Sequence, residues 1–180
     1  MAGVTLLELI VVMGIAAILL GVAATSYKGI TTSSRISGEI NGLLGDMQYA
    51  RSEAIKQGQS VIVCVSTSGT DCTPASTSWD RGWIVFIDTA THTTGGNTAL
   101  ILRAQPAFGG GDTLTDTTTT SVTFDREGLA LGLLTTMSGA GGALIVLHDA
   151  NHTAAKTRCL QVTNIGNLSV QQTATLGTCT

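Results

Sequence analysis

The chain has 180 residues, of which 43% are hydrophobic and only 12% are charged, and its net charge is −3. A charged fraction well below the roughly 25% of an average soluble domain argues against a protein built mainly from charged surface helices. The acidic balance excludes an overall basic footprint for nucleic acid and leaves open only a local basic patch.

An apolar run from Val4 to Ala24 opens the chain and contains a single carboxylate, that of Glu8. As a helix of about 21 residues it would cover ~30 Å, which is enough to cross the hydrocarbon core of a bilayer. An ionised side chain inside such a helix costs at least ~2.5–3.5 kcal/mol and is rarely retained without a partner. We therefore expect residues 4–24 to be transmembrane and Glu8 to be paired; the alternative is a protonated Glu8 in a plain anchor.

The start of the chain does not fit a cleaved secretory signal. Met1-Ala2-Gly3 contains no basic residue, and Ala23-Ala24-Thr25 is a poor cleavage site. Lys28 and Arg35 follow the run, and the positive-inside rule would place them in the cytoplasm. The four cysteines discussed below favour an oxidising compartment instead, and a leader truncated before residue 1 would resolve the conflict.

The helical pattern continues past the apolar run. An apolar stripe recurs at steps of three and four residues, as on one face of an α-helix: Ile36, Ile40, Leu43, Leu44, Met47, Ala50 and Ala54. The pattern predicts one helix from Val4 to Gln57, with Lys56 in its last turn and Gly58 as its stop.

After Gly58 the hydrophobic period changes from 3.6 to 2, which is typical of strands. About 120 residues remain, the size of one domain, and we expect residues 58–180 to form it. The predicted strands are Ser60–Val65, Gly82–Asp88, Thr98–Ala104, Thr120–Asp125, Ala143–Asp149, Arg158–Thr163 and Leu168–Gln171. The predicted fold class is α+β, with the amphipathic half of the helix packed on an antiparallel sheet.

The four cysteines, Cys64, Cys72, Cys159 and Cys179, match no common zinc spacing. Four cysteines allow three pairings. The local pairs Cys64–Cys72 and Cys159–Cys179 close short loops, for which the chain-entropy model gives roughly 2–3 kcal/mol each. Disulfides would indicate an oxidising compartment such as the bacterial periplasm; four buried thiols remain the alternative.

No catalytic pattern emerges from the histidines or the glycine clusters. His92, His148 and His152 are not accompanied by a G-x-S-x-G motif, and the glycine clusters lack the lysine of a phosphate-binding loop. We expect no enzyme activity, no metal and no cofactor. Trp79 and Trp83 flank a turn, and we expect them to pack against the sheet.

The segment from Gly3 to Leu9 resembles the class III signal of type IV pilins and type II secretion pseudopilins, commonly written G-F-T-L-I-E. The resemblance implies that a prepilin peptidase cuts between Gly3 and Val4 and methylates the new amine, so that residues 1–3 are a residual leader. Glu8 becomes the fifth mature residue. Its implied role is to pair with the Val4 amine of an adjacent subunit.

Later segments narrow the resemblance to minor pilins of the FimT/FimU/GspH type. Gln48–Gly58, which contains A-R-S-E-A, resembles their helix end, and Trp79–Phe86 and Cys159–Val170 resemble their strands. The implied function is that of a minor pilin at or near the tip of a type IV pilus, where it helps to initiate assembly with major and minor pilins. The implied location is the inner membrane, with the C-terminal domain in the periplasm, and then the extracellular pilus.

Two alternatives remain open. A type II secretion pseudopilin of the GspH type would have the same signal and fold. A DNA-binding minor pilin for natural transformation is less favoured, because Gly166-Asn167-Leu168-Ser169 stands where such members have a G-R-x-R-like stretch. Lys156 and Arg158 are the only cations nearby, and two cations release few counterions from DNA.

Overall fold

The computed structural model describes residues 3–73, 75–87, 101–116, 119–131 and 142–172, with residues 22–26 described by their backbone alone. It contains two compact units, Met1–Arg35 and Ile36–Thr180. The second unit includes the amphipathic end of the long helix together with the strands that follow it.

Helix α1 runs from Leu6 to Gln57, close to the predicted bounds. It begins two residues later than predicted, because the Thr5 hydroxyl accepts a hydrogen bond from the Glu8 amide at 3.3 Å. This is one of the two hydrogen bonds of a capping box, T-x-x-E. Thr5, the cap residue, lies outside the helix. At the other end the Gly58 amide donates to the Ala54 carbonyl at 2.9 Å and Gly58 has φ 67°, a left-handed conformation that ends helices.

The first unit presents an apolar surface to solvent. Its large apolar side chains from Val4 to Leu20 are each more than half exposed. In the part of the chain that the structure describes, no helix combines the length and apolar character needed to cross a membrane.

The strands of the second unit, as far as they are described, form two antiparallel sheets. Their bounds are β1 Val61–Val65, β2 Gly82–Ile87, β3 Ile101–Pro106, β4 Thr113–Thr115, β5 Ser121–Phe124, β6 Ala130–Leu131, β7 Gly142–His148, β8 Arg158–Thr163 and β9 Leu168–Gln172. The first sheet has the order β3-β2-β1-β5-β6 and the second has the order β4-β7-β8-β9. Single 3₁₀ turns, Trp79–Arg81 and Ala154–Lys156, precede β2 and β8.

The predicted strands correspond to β1, β2, β3, β5, β7, β8 and β9, although Asp88 of one predicted strand and residues 98–100 of another lie outside the described residues. Strands β4 and β6 were not predicted, because they have only three and two residues, too few to show a hydrophobic alternation. The division into two sheets was also not predicted, because strand pairing depends on contacts between distant segments.

One core joins the helix to both sheets. The helical stripe is buried as predicted, with Ile36, Ile40, Leu43 and Met47 at most 1% exposed. Its partners come from both sheets and include both tryptophans, which pack as expected: Trp79, Trp83, Val63, Val85, Val122, Leu114, Ile145 and Leu160. A smaller cluster of Cys64, Ile84 and Phe86 covers the other face of the first sheet.

Candidate assembly site

The residues predicted for processing and for subunit pairing are accessible at the start of the chain. Gly3 and Val4 precede the helix in a non-helical segment, and Val4 is 71% exposed. Glu8 is exposed on the first helical turn between Leu7 and Leu9, which are 72% and 53% exposed. Among the described residues, no side chain or amide forms a hydrogen bond or ion pair with the Glu8 carboxylate. Within the described part of the chain, the Glu8 carboxylate thus lies in an apolar setting without a counterion.

The amide of Glu8, unlike its carboxylate, has a local function that sequence reasoning missed. Its hydrogen bond to Thr5 makes Glu8 the third residue of the helix, a position at which acidic residues also interact well with the helix dipole. The T-x-x-E spacing could have revealed this cap. The cap accounts for an acidic residue in the first turn, but it does not account for an unpaired carboxylate among apolar side chains.

The A-R-S-E-A segment connects the helix end to both sheets. Arg51 Nε donates to the Gly128 carbonyl oxygen at 3.0 Å, in the turn between β5 and β6. Arg51 Nη2 donates to the Ile165 carbonyl oxygen at 3.4 Å, in the turn between β8 and β9. One guanidinium thus joins α1 to a turn of each sheet. A lysine ammonium does not reproduce this contact, because it lacks the planar arrangement of several N–H donors.

Both turns depend on glycine. Gly128 and Gly166 have φ values of 81° and 75°, in the region that favours glycine. A Cβ atom at Gly166 would lie 2.1 Å from the Gly128 carbonyl oxygen and 2.9 Å from Arg51 Nε. The contact of Arg51 with the two turns is therefore possible only because neither turn carries a side chain at these positions.

A groove of about 300 Å³ lies beside this contact and is lined by Gln48, Arg51, Ser52, Ile55, Gly166, Asn167 and Leu168. Ile55, in its lining, is 53% exposed, and Ile165, which precedes Gly166 in the chain, is 68% exposed. Exposed apolar side chains with polar neighbours are typical of interaction surfaces.

Glu53 is the acidic member of the same segment and is a structural residue. It is only 9% exposed, and its carboxylate accepts hydrogen bonds from Gln57 Nε2 at 2.6 Å and Lys56 Nζ at 3.2 Å. The hydrogen bond from Gln57, followed by that from Lys56, lowers the pKa of Glu53 below its ordinary value, although burial opposes the shift.

The first sheet carries a disulfide between Cys64 and Cys72, with a Cα–Cα distance of 5.6 Å. The loop that it closes is ordered by the buried Ser66, whose hydroxyl donates to the Asp71 carbonyl oxygen at 2.6 Å and accepts from the Gly69 amide at 3.0 Å. Cys159 is also disulfide-bonded. Cys179, its predicted partner, lies outside the described residues.

Two of the three histidines lie together at one end of the second sheet. The rings of His148 and His152 have centroids 5.1 Å apart, and His148 Nδ1 is 3.2 Å from the Thr157 hydroxyl. Burial, and then the charge of His152, lower the pKa of His148, while Asp149 acts in the opposite direction. His92 lies outside the described residues.

Residues 39–166 match the family described as type II transport protein GspH. The structure is similar to a crystal structure of FimU, a type IV minor pilin of Pseudomonas aeruginosa strain PAO1, in space group P21, with 17% identity and a TM-score of 0.57. The match covers 79% of this chain and 96% of that one. A second FimU crystal structure, in space group P65, has 16% identity and a TM-score of 0.53, with 81% and 98% covered. No curated protein matches the sequence.

Proposed function

Because this chain belongs to the GspH family, we propose that it is a minor pilin incorporated at or near the tip of a type IV pilus, where it helps to initiate assembly. The likeness to FimU supports the pilin fold. The observation that carries the proposal is the Glu8 carboxylate, which lies exposed in a long apolar helical surface with no partner among the described residues.

Assembly would provide the missing partner. A prepilin peptidase cuts between Gly3 and Val4 and methylates the Val4 amine, which stays cationic because an unperturbed α-amine has a pKa of about 8. The amine of one subunit then pairs with Glu8 of its neighbour. In an apolar bundle this attraction is stronger than in water, and an unpaired buried charge is destabilising, so the pair determines the axial offset between subunits.

Before assembly, residues 4–24, whose side chains the structure describes only as far as residue 21, anchor the chain in the bacterial inner membrane, and the globular domain lies in the periplasm. The exposed apolar side chains of the first unit support this placement, since lipid or other subunits must cover them. The Cys64–Cys72 disulfide supports an oxidising compartment for the globular unit. In the finished filament the same apolar surface packs against the helices of other major and minor pilins.

The test replaces Glu8 with Val and with Gln in the natural host. We expect both variants to remain in the inner membrane fraction and to be absent from sheared surface fibres, because neither retains a carboxylate for the amine. Normal incorporation of Glu8→Val would contradict the proposal.

Thr5→Ala is the matched control, because it removes the helix cap and retains the carboxylate. Loss of such a cap costs about 1 kcal/mol of helix stability. We expect Thr5→Ala to enter fibres close to the wild-type level. If it failed as completely as the Glu8 variants, helix initiation and not charge pairing would explain their loss.

A type II secretion pseudopilin is the second candidate, favoured by the description of the matched family as a type II transport protein. Complementation distinguishes the two. The chain should restore surface pili to a strain that lacks the related minor pilin, and it should fail to restore secretion to a strain that lacks the pseudopilin. The opposite result would assign it to secretion.

We do not propose DNA as a partner. Lys156 Nζ lies 3.9 Å from Asp149 Oδ2, and Arg158 Nη1 donates to the carbonyl oxygens of Ala155 and Thr157. These contacts engage the two cations near the closing strands. We expect no salt-sensitive gel shift with the full chain, and such a shift at micromolar protein would revive the DNA-binding alternative.

A further inference from the structure

Two imidazole rings lie side by side at one end of the second sheet. His148 ends β7, and His152 follows four residues later in the connection to β8. Their ring centroids are 5.1 Å apart, and the ring planes are tilted by 41°. His152 is exposed and His148 is partly exposed, so an ion in solvent can reach the pair.

Hydrogen bonds around His148 define which of its ring nitrogens is available. The Thr157 hydroxyl donates its one proton to the Thr153 carbonyl oxygen at 3.3 Å, and its oxygen lies 3.2 Å from His148 Nδ1. Since this oxygen can then only accept, Nδ1 carries the ring proton and Nε2 keeps its lone pair. Histidines that bind metals commonly donate their other ring N–H in this way, which orients the ring.

The backbone between the two rings is held by Asp149, which is 1% exposed. Its carboxylate accepts hydrogen bonds from the amide and, at 3.0 Å, from the hydroxyl of Thr153. Lys156 Nζ lies 3.9 Å from the same carboxylate. The His152 amide donates to the Asp149 carbonyl oxygen at 2.8 Å, which closes a tight turn.

His152 itself has φ 50°, in the left-handed region. This conformation is uncommon for a residue other than glycine and persists only where the surroundings determine it strongly. Here it accompanies the placement of the exposed His152 ring against His148.

We propose that His148 and His152 form a binding site for a divalent transition-metal ion of borderline softness. This site binds Cu(II) more tightly than Zn(II). Imidazole nitrogen suits both ions, and the affinity order of divalent first-row metals peaks at Cu(II). Among the described residues, no group of three or more His, Cys, Asp or Glu side chains is placed to hold a metal. Within the described part of the chain, the site therefore has two imidazole nitrogen ligands, and water completes the coordination.

The test titrates the full-length chain in detergent micelles with copper(II) sulfate and, separately, with zinc chloride. We expect one Cu(II) ion per chain, an electron paramagnetic resonance spectrum with coupling to two imidazole nitrogens, and weaker binding of Zn(II). Failure to bind Cu(II), or a spectrum with fewer than two imidazole nitrogens, would overturn the proposal.

Three variants identify the ligands. His152→Asn removes the exposed ring and retains a residue that tolerates positive φ; His148→Gln removes the other ring. Each should weaken Cu(II) binding at least tenfold, and Asn151→Ala, a change at an exposed residue of the same turn, is the control that should leave it unchanged. Fluorescence of the buried Trp79 and Trp83 checks folding, and if His148→Gln does not fold, the exposed His152→Asn variant decides alone. Unchanged affinity in folded His152→Asn would refute the site.

Discussion

Trp83 Nε1 donates a hydrogen bond to Asp46 Oδ2 at 2.9 Å and so joins β2 to α1. The other carboxylate oxygen of Asp46 accepts from Arg103 Nη1 of β3 at 2.8 Å, and the Arg103 guanidinium lies 3.9 Å from the centre of the Tyr49 ring. The hydrogen bond to Asp46 raises the pKa of Arg103. Both oxygens of a largely buried acid are thus satisfied, and the helix is aligned with two neighbouring strands.

Replacing Asp46 with Ala should destabilise the protein by about 1–3 kcal/mol, because it leaves the indole N–H of Trp83 without an acceptor. Trp83 is 1% exposed, so water does not readily replace the lost bond. Chemical unfolding, followed by tryptophan fluorescence, measures the change.

The matched control is Arg103→Gln. The Arg103 side chain is 49% exposed in the wild type. Exposed ion pairs contribute little to stability, so this variant should lose less stability than Asp46→Ala. An equal loss in both variants would show that the charge pair, and not the indole hydrogen bond, dominates the contact.

Gly166→Ala should be strongly destabilising. The left-handed backbone costs a residue with a Cβ about 1–2 kcal/mol, and the new atom would also lie 2.1 Å from the Gly128 carbonyl oxygen. Thermal unfolding should show a clear fall in the transition temperature. Gly109→Ala is the control, because a Cβ there meets nothing within 4 Å; a similar fall in both variants would contradict the role of the close approach at Gly166.

Removing the Cys64–Cys72 bond by replacing both residues with Ser should lower stability by about 2–3 kcal/mol, the value expected for a short closed loop. The change also places hydroxyls beside Ile84 and Phe86 in the smaller apolar cluster. Unfolding in denaturant, compared with that of a variant in which both cysteines are replaced by Ala, separates the two effects, because the Ala variant lacks the bond and adds no hydroxyl. Wild-type stability in the double variant would show that the bond does not support the sheet.

The stability of the globular unit should depend on Glu53 in acid. The folded pKa of Glu53 lies below the ordinary value of 4.5, so the folded state binds this proton less readily than the unfolded state does. The stabilising contribution is present above the unfolded pKa and is lost as the pH falls from that value through the folded pKa. Unfolding midpoints measured across this range should fall more steeply for the wild type than for Glu53→Gln, and parallel profiles would refute the assignment.

Local features account for what was predicted well. The α1 stripe from Ile36 to Ala54 and the Gly58 stop follow from helical period and backbone preference, and each was found where it was expected. The Cys64–Cys72 pair spans only eight residues along the chain, so proximity favoured it. The longer strands showed their alternation, whereas β4 and β6 were too short to do so.

The A-R-S-E-A segment shows where local reasoning ends. The sequence identified it as a family-like helix end, but Arg51 Nη2 meets the Ile165 carbonyl oxygen across a separation of 114 residues. Likewise, the sequence placed Glu53 on a helix but did not predict its burial. The contact between the rings of His148 and His152 accompanies a left-handed backbone at His152, which the sequence pattern did not predict.

The sequence by itself determined the long helix, its apolar N-terminal surface with one acid, and the change to strands after Gly58, because period and backbone preference act over a few residues. The tertiary structure alone decided the division into two sheets, the convergence of two glycine turns on Arg51 and the pairing of Asp46 with Trp83. These features depend on which distant segments meet, and that is determined by burial of a shared core, not by any local pattern.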